Sequence, residues 1–448
     1  MSTAPATLHE AAPRTDAAGT HYDAIVVGSG PGGAGVAREL SRAGRRVIIL
    51  ERGRDWRDHP FYGTYAGALL YADRRALLFT REGMQIVRPL MVGGATSMYA
   101  GCSAPPPDWL HERYDVDVRH EADELNRELR IEPLPAELRG AGSTHVAESA
   151  IALGMDWRPQ DKFMLPARAH PFDCGARCLL GCRCGAKWTA AEFVDDAVGA
   201  GATLRTRARV TRVLADGGAV RGVGGRDRDG AFEVYAPRVI IAAGGLGSPV
   251  LLRTAGIEAG HGVAMDTTVM IYGSGSVPGM GADPPMTWSS VDPDLDLMYS
   301  TLIDPWLMYP IIMAVKGAKW PLTWPRWGRT LGVMIKVRDE VSGGIDSRGR
   351  ISKGLTAGEG KRLDRAEQVA RRILIRAGCG GDTIIRTPLR GTHPSATARI
   401  GDVVDTELQT SVRGLYVCDA SVFPEALGRP TVLTILALAR RLARTIAT

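Results

Sequence analysis

Hydrophobic positions along the chain fall into short runs punctuated by glycine, and the runs alternate between strand-like and helix-like patterns. Tyr22-Asp23-Ala24-Ile25-Val26-Val27 reads as a short buried strand. A helix follows to about Ala43, Gly44 ends it, and Arg46-Val47-Ile48-Ile49-Leu50 forms a second strand that closes on Glu51. Between about Thr203 and Val234 the short alternating stretches predict a β-meander. Val239-Ile240-Ile241 is again a buried strand, followed by a glycine turn and a helix that stops at Gly256. Residues 358–377 predict a helix charged on one side. After Gly414-Leu415-Tyr416-Val417, Pro430 is expected at the first position of a last amphipathic helix. Strands alternating with helices in this way predict an α/β fold.

Composition narrows the picture. A chain of 448 residues, 45% hydrophobic, is large enough for two or three domains. The formal charge of +6 comes from 48 Arg against 7 Lys scattered without a basic run, and aromatic residues make up only 6%, so no nucleic-acid module is visible. Residues 1–20, rich in Ala, Thr and Pro, lack the parts of a secretory signal and read as a disordered tail. The apolar run from Leu307 to Val315 falls well short of the roughly 20 residues a spanning helix needs, so no membrane crossing is expected. The seven cysteines are an odd number clustered unlike a dispersed disulfide framework, which makes the cytosol the expected compartment.

Chemistry enters at the first strand–helix junction. Gly28, Gly30 and Gly33 give the G-x-G-x-x-G spacing: one glycine for the tight turn, one for close approach to a pyrophosphate, one for packing the helix on its strand. Glu51 ends the second strand, where a carboxylate is placed to accept both ribose hydroxyls of a bound adenosine. This pattern suits FAD and NAD equally. A second glycine pair with hydroxyls, Gly93-Gly94-Ala95-Thr96-Ser97, offers further N–H groups to the same ligand.

Taken with Ala243–Ile257 and the segment from His393 to the end, these stretches resemble, in pattern and order, the glucose-methanol-choline (GMC) oxidoreductases, which bind FAD and mostly oxidise alcohols. The resemblance implies a discontinuous FAD-binding Rossmann-like domain (residues 21–110, 186–260 and 403–448). It also implies a second, α+β substrate domain on an antiparallel sheet (111–185 and 261–402). By the same resemblance Gly93, Gly94, Thr96 and Ser97 meet the cofactor, and Val210 gives backbone contacts to the adenine. Asp419 and Ala420 lie along the pyrophosphate and ribityl chain, and Thr431 opens a helix whose N-terminus faces the flavin.

His393, in Gly391-Thr392-His393-Pro394-Ser395, resembles the family's active-site histidine, and an imidazole is suited to accept the proton that a carbinol hydroxyl loses as its carbon gives up a hydride. Arg429 stands where the family usually has a His or Asn before the proline. It cannot act as a base, but its fork of donors is suited to an alkoxide, enolate or carboxylate. Met98-Tyr99-Ala100 likewise replace an Asn that many relatives place near the flavin. The expected reaction is therefore oxidation of a CH–OH group, with the electron acceptor open. Reduction of a C=C bond by a partner-fed flavin, with His393 as proton donor, is a second reading, and a noncatalytic electron-transfer flavoprotein a third.

Cys174, Cys178, Cys182 and Cys184 form a C-x₃-C-x₃-C-x-C loop, a spacing that suits an iron–sulfur cluster, structural zinc, unmetallated thiols or a disulfide. Trp306, Met308, Tyr309, Trp320, Trp324 and Trp327, mixed with Lys316, Lys319, Arg326 and Arg329, read as a lid over a small and hydrophobic substrate, a peripheral membrane contact, or ordinary core.

Overall fold

A computed structural model describes residues 21–169, 171–309 and 324–447, together with the backbone of Arg14–Thr15. Apart from that dipeptide, which pairs in parallel with Phe232–Glu233, the expected tail lies outside the described residues. So do Lys316, Lys319 and Trp320 of the Trp-rich stretch.

One layer is a five-stranded parallel sheet, in the order Leu415–Val417, Val239–Ile241, Ala24–Val27, Val47–Glu51, Thr203–Thr206. Its three central strands are buried at every position, as continuous apolar runs between helical layers require. Thr203–Thr206 is thus an edge strand of this sheet and not the start of the meander, whose antiparallel strands are Arg209–Asp216, Ala219–Asp227 and Gly230–Tyr235. Helix Pro31–Arg42 crosses the last helix, Val432–Ile446, so closely that a Cβ on Gly35 would stand 2.8 Å from Ala439 Cβ. Pro430 precedes the Thr431 cap of that last helix instead of occupying its first turn. Helix Arg119–Leu129 also packs here: Ala122 and Leu125 join the nucleotide-side core, and Glu128 pairs with Arg440 and Arg38.

The second layer is a mixed, mostly antiparallel nine-stranded sheet. Helices Ala141–Ile151 and Ala357–Arg376 pack against it, and a Thr356/Glu359 capping box starts the longer one. Strand alternation sorts the faces. In Thr330–Val337, Leu331, Val333, Ile335 and Val337 enter the core, which turns Lys336 to the other side, directly across from Thr268 of the neighbouring strand. The hairpin Leu78–Phe79/Gln85–Ile86 joins this sheet through Arg390–Gly391.

Candidate active site

The glycine turn behaves as the spacing predicts. Gly28 has φ +103°, and a Cβ there would strike Ala242 O at 2.3 Å; one on Gly33 would strike Gly28 O at 2.0 Å. Gly30 is different: a Cβ there meets nothing within 4 Å, so its backbone faces open space. It also caps helix Pro31–Arg42 with no side chain competing for the first N–H groups, as an anion-binding helix start requires. The second loop closes on the first, with Gly93 N–H donating to Ser29 Oγ and a Cβ on Gly94 falling 2.9 Å from Gly30 Cα.

Glu51 is buried and accepts from Ser29 N–H (3.0 Å), Ser29 Oγ (2.6 Å) and Gly53 N–H (2.6 Å). Burial pushes its carboxyl upward, against the opposing effect of these donors. A carboxylate accepts about four hydrogen bonds, so Glu51 keeps acceptor capacity beyond these three donors. Val210 lies at a bulge in a strand tied to the end of Glu51 by Ala208 N–H to Glu51 O (2.9 Å). Thr96 and Ser97 are buried with side chains turned inward: Thr96 Oγ donates to Gly93 O and accepts from Ala190 N–H, and Ser97 Oγ donates to Val92 O. Only the backbone of this loop is thus offered to a ligand. Asp419 is likewise buried, receiving Gly244 N–H (2.8 Å), Ser248 Oγ–H and Ser421 N–H (2.8 Å), with Ala420 following it. Thr431 is buried as the last helix's cap and makes no side-chain capping bond.

His393 lies in the segment 391–398, which packs on the turn after Val239–Ile241: a Cβ on Gly245 would strike Pro394 O at 2.0 Å. Its Nδ1 lies 2.7 Å from Asp266 Oδ2. A carboxylate only accepts, so Nδ1 carries the proton and Nε2 keeps its lone pair. Nε2 has no partner among the described residues, and the side chain keeps 24% exposure, leaving that edge open to a substrate. Every polar group of Asp266 is used. Oδ1 accepts Gly428 N–H (2.9 Å), the carbonyl accepts the Thr268 and Thr392 hydroxyls (2.9 Å each), and the N–H reaches Asp339 Oδ1 (3.3 Å). Its φ of +48° is a left-handed geometry that aspartate tolerates better than most residues.

Lys336, almost fully buried, donates to the same Thr268 and Thr392 hydroxyls. Burial lowers the His393 pKa below its ordinary value and the Lys336 ammonium lowers it further, while Asp266 pulls the other way. Arg429 follows Gly428 and is half-buried, with no hydrogen bond or ion pair to its guanidinium among the described residues. Burial, then Arg338, lowers its pKa, while Asp108 and Asp266 oppose the shift. Met98 and Tyr99 stand at the expected departure, and Tyr99 OH donates to Trp188 O at 2.8 Å.

Asp266, Lys336 and Asp339 escape the sequence reading. The only signal was Lys336, a lysine set in the apolar run Leu331–Val337.

The four cysteine sulfurs of the loop lie in mutual contact. Among the described residues no group of three or more His, Cys, Asp or Glu is arranged to hold an ion. Cys174 and Cys178 are buried in a small apolar cluster with Leu134 and Met164, and Cys182 Sγ stands 3.8 Å from Cys184 Sγ, in contact but unbonded. The Cys184 thiol is pulled down to about 6, chiefly by its contact with the Cys174 sulfur.

Two family models, both described as GMC oxidoreductase, match residues 74–280 and 370–439. The chain belongs to the GMC oxidoreductase family. A GMC-type oxidoreductase of Mycobacterium tuberculosis is 29% identical over 94% of this chain and 75% of its own. A long-chain-alcohol oxidase of Arabidopsis thaliana is 24% identical over 92% and 65%. The structure of pyridoxine 4-oxidase from Mesorbium loti superposes with a TM-score of 0.72 at 19% identity, covering 95% of this chain and 99% of that one, and shares the GMC fold. The chain is accordingly a GMC-type flavin oxidoreductase with an FAD-binding domain. The open backbone at Gly30, the uncapped helix start and the spare acceptor on Glu51 fit that cofactor. No helix among the described residues is long and apolar enough to cross a membrane.

Proposed function

We propose that this chain oxidises the CH–OH group of a small-molecule alcohol, with His393 as the base. The observation that carries the reading is the His393 imidazole held on Asp266 at 2.7 Å with its Nε2 edge open. Bound FAD supplies the two-electron acceptor for the carbinol hydride. The chain's own residues manage the proton. Nε2 accepts it from the substrate hydroxyl, and the imidazolium that results is steadied by the Asp266 carboxylate. Lys336 disfavours protonation beforehand, so the base is already neutral when substrate arrives. Arg429, whose donors are uncommitted and whose loop is tied to Asp266 through Gly428, is the group suited to steady the oxygen as it loses its proton. The similarity to a long-chain-alcohol oxidase supports an alcohol substrate.

The test is anaerobic titration of the purified holoenzyme with primary alcohols of increasing chain length and with enones. Loss of the oxidised-flavin absorbance on adding an alcohol is the expected result. Inert alcohols, with enones that reoxidise chemically reduced enzyme, would overturn the reading in favour of C=C reduction.

A further inference from the structure

The stretch 69–87 carries an unusual surface. Leu69 and Leu70 on helix Tyr65–Tyr71, and Leu77, Phe79 and Val87 on the hairpin after it, are all large apolar side chains left between 43% and 67% exposed. Register explains why the hairpin members share one face. Leu78 pairs with Ile86 and both point into a buried cluster with Met84 and Met265; the alternation therefore turns Leu77 and Phe79 outward, with Val87 opposite Leu77. Trp306, 47% exposed, extends the patch, because Leu307 N–H donates to Tyr65 OH at 3.2 Å.

Charge then narrows what the patch meets. Arg74 and Arg75 sit between the helix and the hairpin, both exposed and both in left-handed backbone (φ +51° and +56°). Neither guanidinium makes a hydrogen bond or ion pair among the described residues, whereas the neighbouring Asp73 is consumed by Arg88 and Glu82 by Ser352 and the Lys353 N–H. Apolar side chains flanked by uncommitted arginines, with a tryptophan at the edge, match a bilayer interface bearing anionic headgroups.

Position gives the surface a purpose. Gln85–Ile86 pairs in parallel with Arg390–Gly391, two residues before His393. From these features we infer that the face formed by Leu69, Leu70, Leu77, Phe79 and Trp306, with Arg74 and Arg75, docks the enzyme on an anionic lipid surface. This docking sets the hairpin beside the catalytic histidine against the bilayer, from which an apolar alcohol enters. The docking itself does not depend on the reaction assigned above.

Flotation of the full-length holoenzyme with vesicles tests it without any activity readout. The wild type floats with phosphatidylcholine vesicles containing phosphatidylglycerol and only weakly with phosphatidylcholine alone. Arg74→Glu/Arg75→Glu weakens binding by about thirtyfold or more, from roughly 1 kcal/mol per basic residue at such a surface. Leu77→Asp/Phe79→Asp abolishes it with flavin content unchanged, and Ile375→Asp, an exposed apolar residue on helix Ala357–Arg376, leaves it intact. Wild type that stays with neither vesicle, or a Leu77→Asp/Phe79→Asp variant that floats as well as wild type, overturns the proposal. So does a wild-type dimer that this double variant splits into monomers, since a second copy then covers the patch.

Discussion

Asp266 holds two parts of the site at once: Oδ2 takes the Nδ1 proton of His393 at 2.7 Å and Oδ1 takes Gly428 N–H at 2.9 Å, next to Arg429. Asparagine preserves this shape and reverses one bond. Its oxygen stays with Gly428 and its NH₂ donates to Nδ1, which drives the imidazole proton onto Nε2 and removes the base. Asp266→Asn is therefore expected to lower kcat by about 10²–10⁴-fold while flavin content holds. Steady-state rates on flavin-normalised enzyme check this.

Lys336 tests the electrostatics separately. The active form of His393 is neutral, so activity is present above its pKa and lost as pH falls through it. Because burial and Lys336 both depress that pKa, the acid limb of kcat/KM lies below the ordinary histidine value of about 6.5. Lys336→Met moves the limb upward; Asp266→Asn, which removes the opposing charge, does not. A pH profile of each variant reads the direction.

Arg429 separates charge from shape. Arg429→Ala is expected to cost roughly 10²–10³-fold, mainly in kcat, as loss of one oxyanion donor does. Arg429→Lys keeps the cation but loses the fork and recovers part of this. An effect confined to KM would make Arg429 a binding group only.

Two glycines in one turn predict opposite outcomes. A methyl on Gly30 points into open space where the pyrophosphate must approach, so Gly30→Ala is expected to lose flavin and to melt where flavin-free wild type does. On Gly32 the same methyl falls 1.8 Å from Cys418 O, and Gly32→Ala destabilises the fold itself. Visible absorbance per protein and thermal melting distinguish them.

The sulfur loop makes a chemical prediction. The Cys184 thiol is held below its usual range by the Cys174 sulfur and is less buried than Cys174 or Cys178, so iodoacetamide alkylates it before them. Mass mapping after a brief exposure shows the order. Protection of all four until a chelator is added would point back to a metal.

Much of this was readable in the chain because it rests on local rules. The Gly28–Gly33 turn, the helix stop at Gly44 and the buried strands follow from φ, close approach and apolar runs within a few residues. What stayed hidden is long-range. Asp266 meets His393 across 127 positions, and Thr203–Thr206 pairs in parallel with Val47–Glu51, about 150 positions earlier. One signal was available in composition. In a chain with 48 Arg and 7 Lys, four of the lysines, Lys162, Lys187, Lys336 and Lys353, are buried and hydrogen-bonded at interior positions that suit a compact ammonium, while Lys361 is exposed.

The most direct test of His393 as base is the rate of anaerobic flavin bleaching by the best alcohol, followed in a single turnover of wild type and His393→Ala. The account predicts bleaching about 10²–10⁴-fold slower in the variant at equal flavin content. Bleaching at the wild-type rate would contradict it.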